Sequence, residues 1–133
     1  MSFTDPAEVR KYIGGIFEVA FQDEEIGPKL KATGIVLRFA FSEPDSVVVV
    51  DTTTATVTDS ADSAAPTATM FMTADLGNAY WQGKVNLPLA MAKSKIKVEG
   101  NVASLLKLAP LGKRLYPVYV ETLKADGRDD LIV

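Results

Sequence analysis

Cysteine and histidine are both absent from the 133 residues. Without thiols there are no disulfides, no thiolate metal ligands and no cysteine nucleophile. Without imidazole the commonest general base and metal ligand is gone. Long apolar runs are missing as well. No window approaches the roughly 18 apolar residues of a membrane-spanning helix, and Met1-Ser2-Phe3-Thr4-Asp5-Pro6 has no basic stretch leading into an apolar one. There is no phosphate-cradling glycine loop, no metal-ligand spacing and no nucleophile elbow. These absences predict a soluble, cytoplasmic protein with no metal and no cofactor, and they close most routes to catalysis.

What is present is an ordinary globular balance, 47% hydrophobic and 23% charged residues. One domain spanning residues 1–133 is expected, large enough to bury a core without covalent staples. The net charge of −3 is unevenly spread. Acids dominate before residue 76, whereas Lys84, Lys93, Lys95, Lys97, Lys107, Lys113 and Arg114 are accompanied only by Glu99. That basic stretch suits either a solvated face or contact with anionic head groups and membrane surfaces. Nucleic acid is not expected, because the overall pI is about 4.9 and few aromatics stand among the lysines.

Hydrophobic periodicity sets the elements. Thr4 or Asp5 caps a first helix with Pro6 at its opening position, and Val9, Ile13, Ile16, Phe17, Ala20 and Phe21 share one face. Gly14-Gly15 inside it costs about 1 kcal/mol per glycine relative to alanine, which implies either a close approach or a bend. Gly27-Pro28 predicts the end of the helical region, near a short turn through Lys29–Ala32. Alternation then marks strands at 34–41, Ser46–Asp51, Thr54–Thr58 and Thr67–Met72, the third near an edge, with a loop over Asp59–Pro66. Thr73 caps a further helix.

Within Asp75–Leu108, Ile96 and Val98 alternate with Lys95, Lys97 and Glu99, the pattern of a fifth strand with one wet and one buried face. Gly100-Asn101 turns the chain, and Val102, Leu105, Leu106 and Leu108 recur at helical spacing. Helix, four strands, two helices, strand and helix predict an α+β domain whose helices cover one face of a five-stranded, mostly antiparallel sheet.

The residues Asp75, Tyr80-Trp81, Gly83-Lys84 and Lys95-Ile96-Lys97-Val98-Glu99-Gly100-Asn101, followed by Leu105–Leu108, resemble the sterol carrier protein 2 family. The likeness is carried by roughly the C-terminal half. Two departures stand out: Ser94 replaces the glycine usual before the first strand lysine, which leaves room for a different local bend. The end of the chain, Asp130-Leu131-Ile132-Val133, lacks the Ser-Lys-Leu-like peroxisomal address of many members. The resemblance implies a single-domain carrier that holds sterols, fatty acids or fatty acyl-CoA thioesters in an internal tunnel, as monomer or homodimer.

On that reading the tunnel lies between the sheet and the helices of residues 74–92 and 102–122. Its lining is expected from Phe39, Phe41, Met70, Met72, Leu76, Tyr80, Trp81, Leu87, Leu89, Met91, Leu105 and Leu108. Methionine adapts to irregular guests. The same side chains would equally fill an ordinary core. Lys84, Lys93 and Lys95 are the expected head-group or membrane contacts, and Leu87–Met91 the candidate lid. The amphipathic C-terminal segment, interrupted by Pro117, is expected to cover the cavity, with Leu131-Ile132-Val133 either capping it or pairing chains.

Two other classes fit less of the sequence. One is an interaction or dimerisation module serving lipid-metabolising enzymes. The other is a small steroid isomerase of the nuclear-transport-factor-like type, with Tyr80 and Asp75 or Tyr116 and Lys113 moving a proton. That fold needs a long curved sheet at the end of the chain, where this one has helix. No catalytic residue is assigned.

Overall fold

The computed structural model describes residues 3–58 and 66–133; the loop expected at Asp59–Pro66 therefore lies, but for Pro66, outside the described residues. The helical N-terminal segment is α1 (Pro6–Val9), a π-helical turn (Arg10–Gly14) and α2 (Gly15–Gln22). Asp5 caps α1 by accepting the Glu8 N–H at 2.9 Å, with Pro6 in the first turn. The close approach expected at the glycine pair is found at Gly14. The π turn widens the helix just before Gly15, and a β-carbon on Gly14 would stand 3.2 Å from Val57 Cγ1 and collide with the Arg10 side chain.

Beyond this helix the sequence reading needs correcting. Residues expected to be a turn form α3 (Ile26–Thr33). Pro28 falls in its first turn, where the missing N–H breaks no helical bond. Asp23 Oδ1 accepts the N–H groups of Glu25 and Ile26 at 2.8 and 2.9 Å and starts the helix.

The sheet comprises β1 (Val36–Ser42), β2 (Ser46–Asp51), β3 (Thr56–Thr58), β4 (Ala68–Thr73) and β5 (Lys97–Gly100). Their order is β3-β2-β1-β4-β5, with β1 and β4 parallel and the other pairs antiparallel. Phe39 stands opposite Val48 on one side and Met70 on the other, and Met70 opposite Val98. One face therefore carries Leu37, Phe39, Phe41, Val48, Val50, Met70 and Met72, all buried. Phe17 packs on this face with its ring 5.6 Å from Phe39.

The remaining helices are α4 (Ala74–Trp81), α5 (Leu87–Ala92), α6 (Val102–Lys113) and α7 (Tyr116–Ala125), followed by a 3-10 turn at Asp129–Leu131. Thr73, Asn86 and Asn101 cap the first three of these through their side-chain oxygens. Gly83, at φ +76°, ends the α4 region, and Pro117 opens α7. At Gly77, α4 meets the sheet so closely that a β-carbon would lie 2.7 Å from Phe41 Cε1.

Ser94 has a left-handed backbone, φ +60°. It is the residue after the C-cap of α5: its N–H bonds Met91 O at 3.1 Å and that of Lys95 bonds Ala90 O at 2.9 Å, the Schellman arrangement. The bend that suits glycine is thus kept with a serine in it. Ser94→Gly is expected to raise stability by about 0.5–1 kcal/mol, since relief of the left-handed strain exceeds the entropy that glycine adds to the unfolded chain. Urea melts measure it; a loss of stability contradicts it.

The C-terminus folds back onto the body. Leu131 is fully buried, and its carbonyl accepts Asn78 Nδ2 at 2.8 Å and Gln82 Nε2 at 2.9 Å. Asn78 Oδ1 in turn accepts the Tyr119 hydroxyl at 2.7 Å, and the Val133 N–H donates to Gln82 Oε1 at 2.9 Å. Arg128 pairs with Glu8 and Asp130, and the Tyr12 hydroxyl donates to Asp126 Oδ2 at 2.9 Å. The tail expected either to cap a cavity or to pair chains is, at Leu131, part of this chain's own core.

The Glu8 carboxyl is held down from 4.5 to about 2, first by its hydrogen bond from Thr4 and then by Arg128. A carboxyl that releases its proton more readily when folded stabilises the fold above its unfolded value. This contribution is complete above pH 4.5 and is lost as pH falls toward about 2. The stability gap between wild type and Glu8→Gln is therefore expected to be constant above that window and to close within it. Denaturant melts at several pH values check this, and a gap undiminished near the lower end contradicts it.

Candidate functional site

Between the sheet and α6 the apolar layers do not meet completely. A slot of about 40 Å³ remains, lined by Phe17, Leu30, Leu37, Phe39 and Met70 below, by Tyr80 and Trp81 at one side, and by Leu105, Leu108, Ala109, Leu111, Gly112 and Leu115 above. No charged residue lines it. Local sequence explains the gap: α6 buries only Leu105 and Leu108 of its twelve residues. Gly112 adds no side chain over the Trp81 ring.

An aromatic cluster forms the wall. Trp81 meets Phe17 edge-on at 5.1 Å and Tyr80 at 5.5 Å, and Tyr116 lies 6.1 Å from both Tyr80 and Trp81. Burial, and secondarily Tyr116, pushes the Tyr80 phenol well above its ordinary value, so it stays protonated.

Tyr80 and Ala109 also line a second, open groove of about 580 Å³. Val85, Leu87, Pro88, Leu106 and Tyr116 supply its apolar walls, and Lys84 and Lys113 its only charges. Slot and groove thus share a boundary made by Tyr80 and Ala109.

Of the residues read from sequence as a lining, Phe39, Met70, Tyr80, Trp81, Leu105 and Leu108 stand in the slot and Leu87 in the groove, which also takes Lys84 of the expected head-group contacts. The others lie elsewhere. Phe41 and Met72 are buried farther along the sheet, where with Lys95 they border a shallow depression over the ends of β1 and β4. Met91 borders another beside β5. Leu76 packs half-buried on the core, Leu89 is 51% exposed, and Lys93 is exposed at the end of α5. The reason is geometric: alternate residues share a sheet face, but the slot spans only its middle, under α6.

Phe17, Leu30, Leu37, Ala109, Leu111, Gly112 and Leu115 line the slot and were not among the expected lining. Phe17 and Leu37 were visible as members of inward faces. Leu30 was hidden by the mistaken turn. Asp75, expected as a proton partner of Tyr80, is exposed in the first turn of α4, at the opposite end of that helix from Tyr80. Among the described residues there is no group of three or more acidic side chains able to hold a metal, and no helix is long and apolar enough to cross a membrane.

Among solved structures the fold is similar to the sterol carrier protein domain 2 of Helicoverpa armigera, at 22% identity over 86% of this chain and 94% of that one, with a TM-score of 0.70. It is similar to sterol carrier protein 2 from Yarrowia lipolytica in its apo form, at 16% identity over 80% and 98%, TM-score 0.63. A third likeness is to sterol carrier protein 2 from Aedes aegypti in complex with the C16 fatty acid palmitate, at 22% identity over 83% and 96%, TM-score 0.57. No curated protein matches the sequence. The profile of the SCP-2 sterol transfer family matches residues 16–113, well over half of the sequence. The chain belongs to the SCP-2 sterol transfer family.

Proposed function

We propose that the protein is a non-catalytic cytoplasmic carrier that lodges a sterol, fatty acid or fatty acyl-CoA between the sheet and α6 and passes it between membranes or enzymes. The observation that carries this reading is the uncharged slot that shares Tyr80 and Ala109 with an open groove. Family membership and the palmitate in the related Aedes aegypti structure support the same ligand class.

A slot of about 40 Å³ holds about three waters, so an acyl chain has to open it. Helix α6 is the element built to move. Pro110 inside it has no N–H, which leaves the Leu106 carbonyl without its helical donor. Its tie to α3, the Arg114–Glu25 ion pair, is about half exposed on both sides and contributes little. By contrast α7 is fixed by the buried Tyr119–Asn78 bond. Burying about twelve methylenes yields roughly 10 kcal/mol before the costs of association, to set against displacing a helix that buries two leucines and half-buries a third, Leu111.

No polar group of the slot is poised for bond chemistry; Tyr80, its one hydroxyl, is held protonated. Organic extraction and mass spectrometry of freshly purified protein tests the reading. A co-purified acyl or sterol species near one per chain is expected. Protein that yields none, and takes none up from lipid-loaded vesicles, overturns it.

A further inference from the structure

The exposed leucines of the described chain are Leu89 and Leu106, 51% and 43% exposed. Leu106 lines the groove, and Leu89 follows Pro88, which also lines it. Both therefore stand on the helices that flank the mouth, α5 and α6. Lys84 and Lys113 line the same groove, Lys93 ends α5 and Lys107 follows Leu106 in α6; all four are exposed, and among the described residues none of these lysines has a side-chain partner. Between residues 76 and 120 the only acid is Glu99, on the far edge strand β5. Exposed apolar tips beside a groove whose only charged lining residues are the cations Lys84 and Lys113 match the two terms by which peripheral proteins bind an anionic bilayer: shallow insertion and surface charge.

The geometry points to a membrane-docking face: the rim of the groove, with Leu89 and Leu106 inserting between lipids and the four lysines on their head groups. The partner is an anionic lipid surface. In this inference, which rests on the carrier reading for its purpose, the groove opens directly onto the bilayer, so cargo passes between membrane and slot without crossing water. Lys95, which borders the separate depression over β1 and β4, is not part of the face.

The absence of native cysteine makes the test direct. Leu89→Cys, Leu106→Cys and, as control, Val19→Cys each carry one polarity-sensitive dye. Val19 is 45% exposed and borders a separate cleft with Lys11, Tyr119 and Thr122. With vesicles of phosphatidylcholine plus phosphatidylserine, the dyes at 89 and 106 are expected to shift to the blue and the dye at 19 to stay unchanged. Added salt reverses the shift, because the Debye length falls from about 10 Å at 0.1 M to about 3 Å at 1 M. Lys84→Glu with Lys113→Glu lowers vesicle affinity at least about tenfold, with an unchanged melting curve showing that the variant is folded.

Equal shifts at all three positions, no shift at 89 and 106, or unaltered affinity in the charge-reversed variant overturns the docking face. Fatty-acid uptake from vesicle-free solution separates this from the carrier reading. If uptake persists while docking fails, only the docking face falls. If docking holds while uptake fails, the face stands and the carrier reading falls.

Discussion

Ala109→Phe is expected to weaken fatty-acid binding at least about a hundredfold while leaving the protein folded. Ala109 and Tyr80 are the two residues that line both the slot and the groove. A phenyl ring on α6 at this point closes the passage and excludes about four methylenes from the interior, about 3 kcal/mol, which is roughly two orders of magnitude in affinity. The position is half-buried and faces the open groove as well as the slot, so the ring can fill the passage from the groove side without splitting the core. Ala103→Phe, on an exposed position of the same helix, is the control and should bind as wild type does. Calorimetric titration of delipidated protein measures both. An Ala109→Phe variant that binds as tightly as wild type would place the guest somewhere other than under α6.

The second large effect concerns stability. Leu131→Ala is expected to cost about 2–5 kcal/mol, the range for emptying a fully buried leucine position, out of a total of about 5–15 kcal/mol for a domain. Leu131 is fully buried although only two residues follow it in the sequence. Its carbonyl also takes bonds from Asn78 and Gln82. Removal of residues 131–133 should cost more than the alanine, because Asn78 and Gln82 then lose acceptors or donors in a buried setting. Equilibrium urea unfolding decides the matter. A loss below about 1 kcal/mol would mean that the tail is not part of the cooperative core.

These two positions show where sequence reasoning succeeds and where it stops. The strands were legible because one side of the sheet is apolar and packed under the helices while the other sets Arg38, Lys97 and Glu99 beside its buried Val49 and Thr69: Phe39, Phe41, Met70 and Met72 sit where alternation put them. Caps at Asp5 and Thr73 were legible because the chemistry of a helix N-terminus is local. Helix α3 was missed because Gly27-Pro28 reads as a breaker unless it is known that Asp23 starts a helix just before it.

The slot was half legible. Periodicity says which face a residue is on, but not which part of that face lies under α6; this separates Phe39 and Met70 from Phe41 and Met72. The Asn78, Gln82, Tyr119 and Leu131 network was not legible at all, since its partners are up to 53 residues apart and each looks unremarkable alone. Ser94 lay between: the missing glycine was visible, but only the backbone shows that the left-handed turn survives.

The central claim is that the interior under α6 opens to admit an apolar guest. Trp81, the only tryptophan, stands in the slot wall and reports occupancy without a label. The decisive measurement is the affinity of delipidated protein for a series of saturated fatty acids of increasing length, followed by Trp81 fluorescence below the concentration at which each lipid aggregates. Affinity is expected to rise about fourfold for each added methylene, the equivalent of about 0.8 kcal/mol, until the chain outgrows the opened slot. An affinity that does not change with chain length, or a Trp81 signal that never responds, would contradict the account.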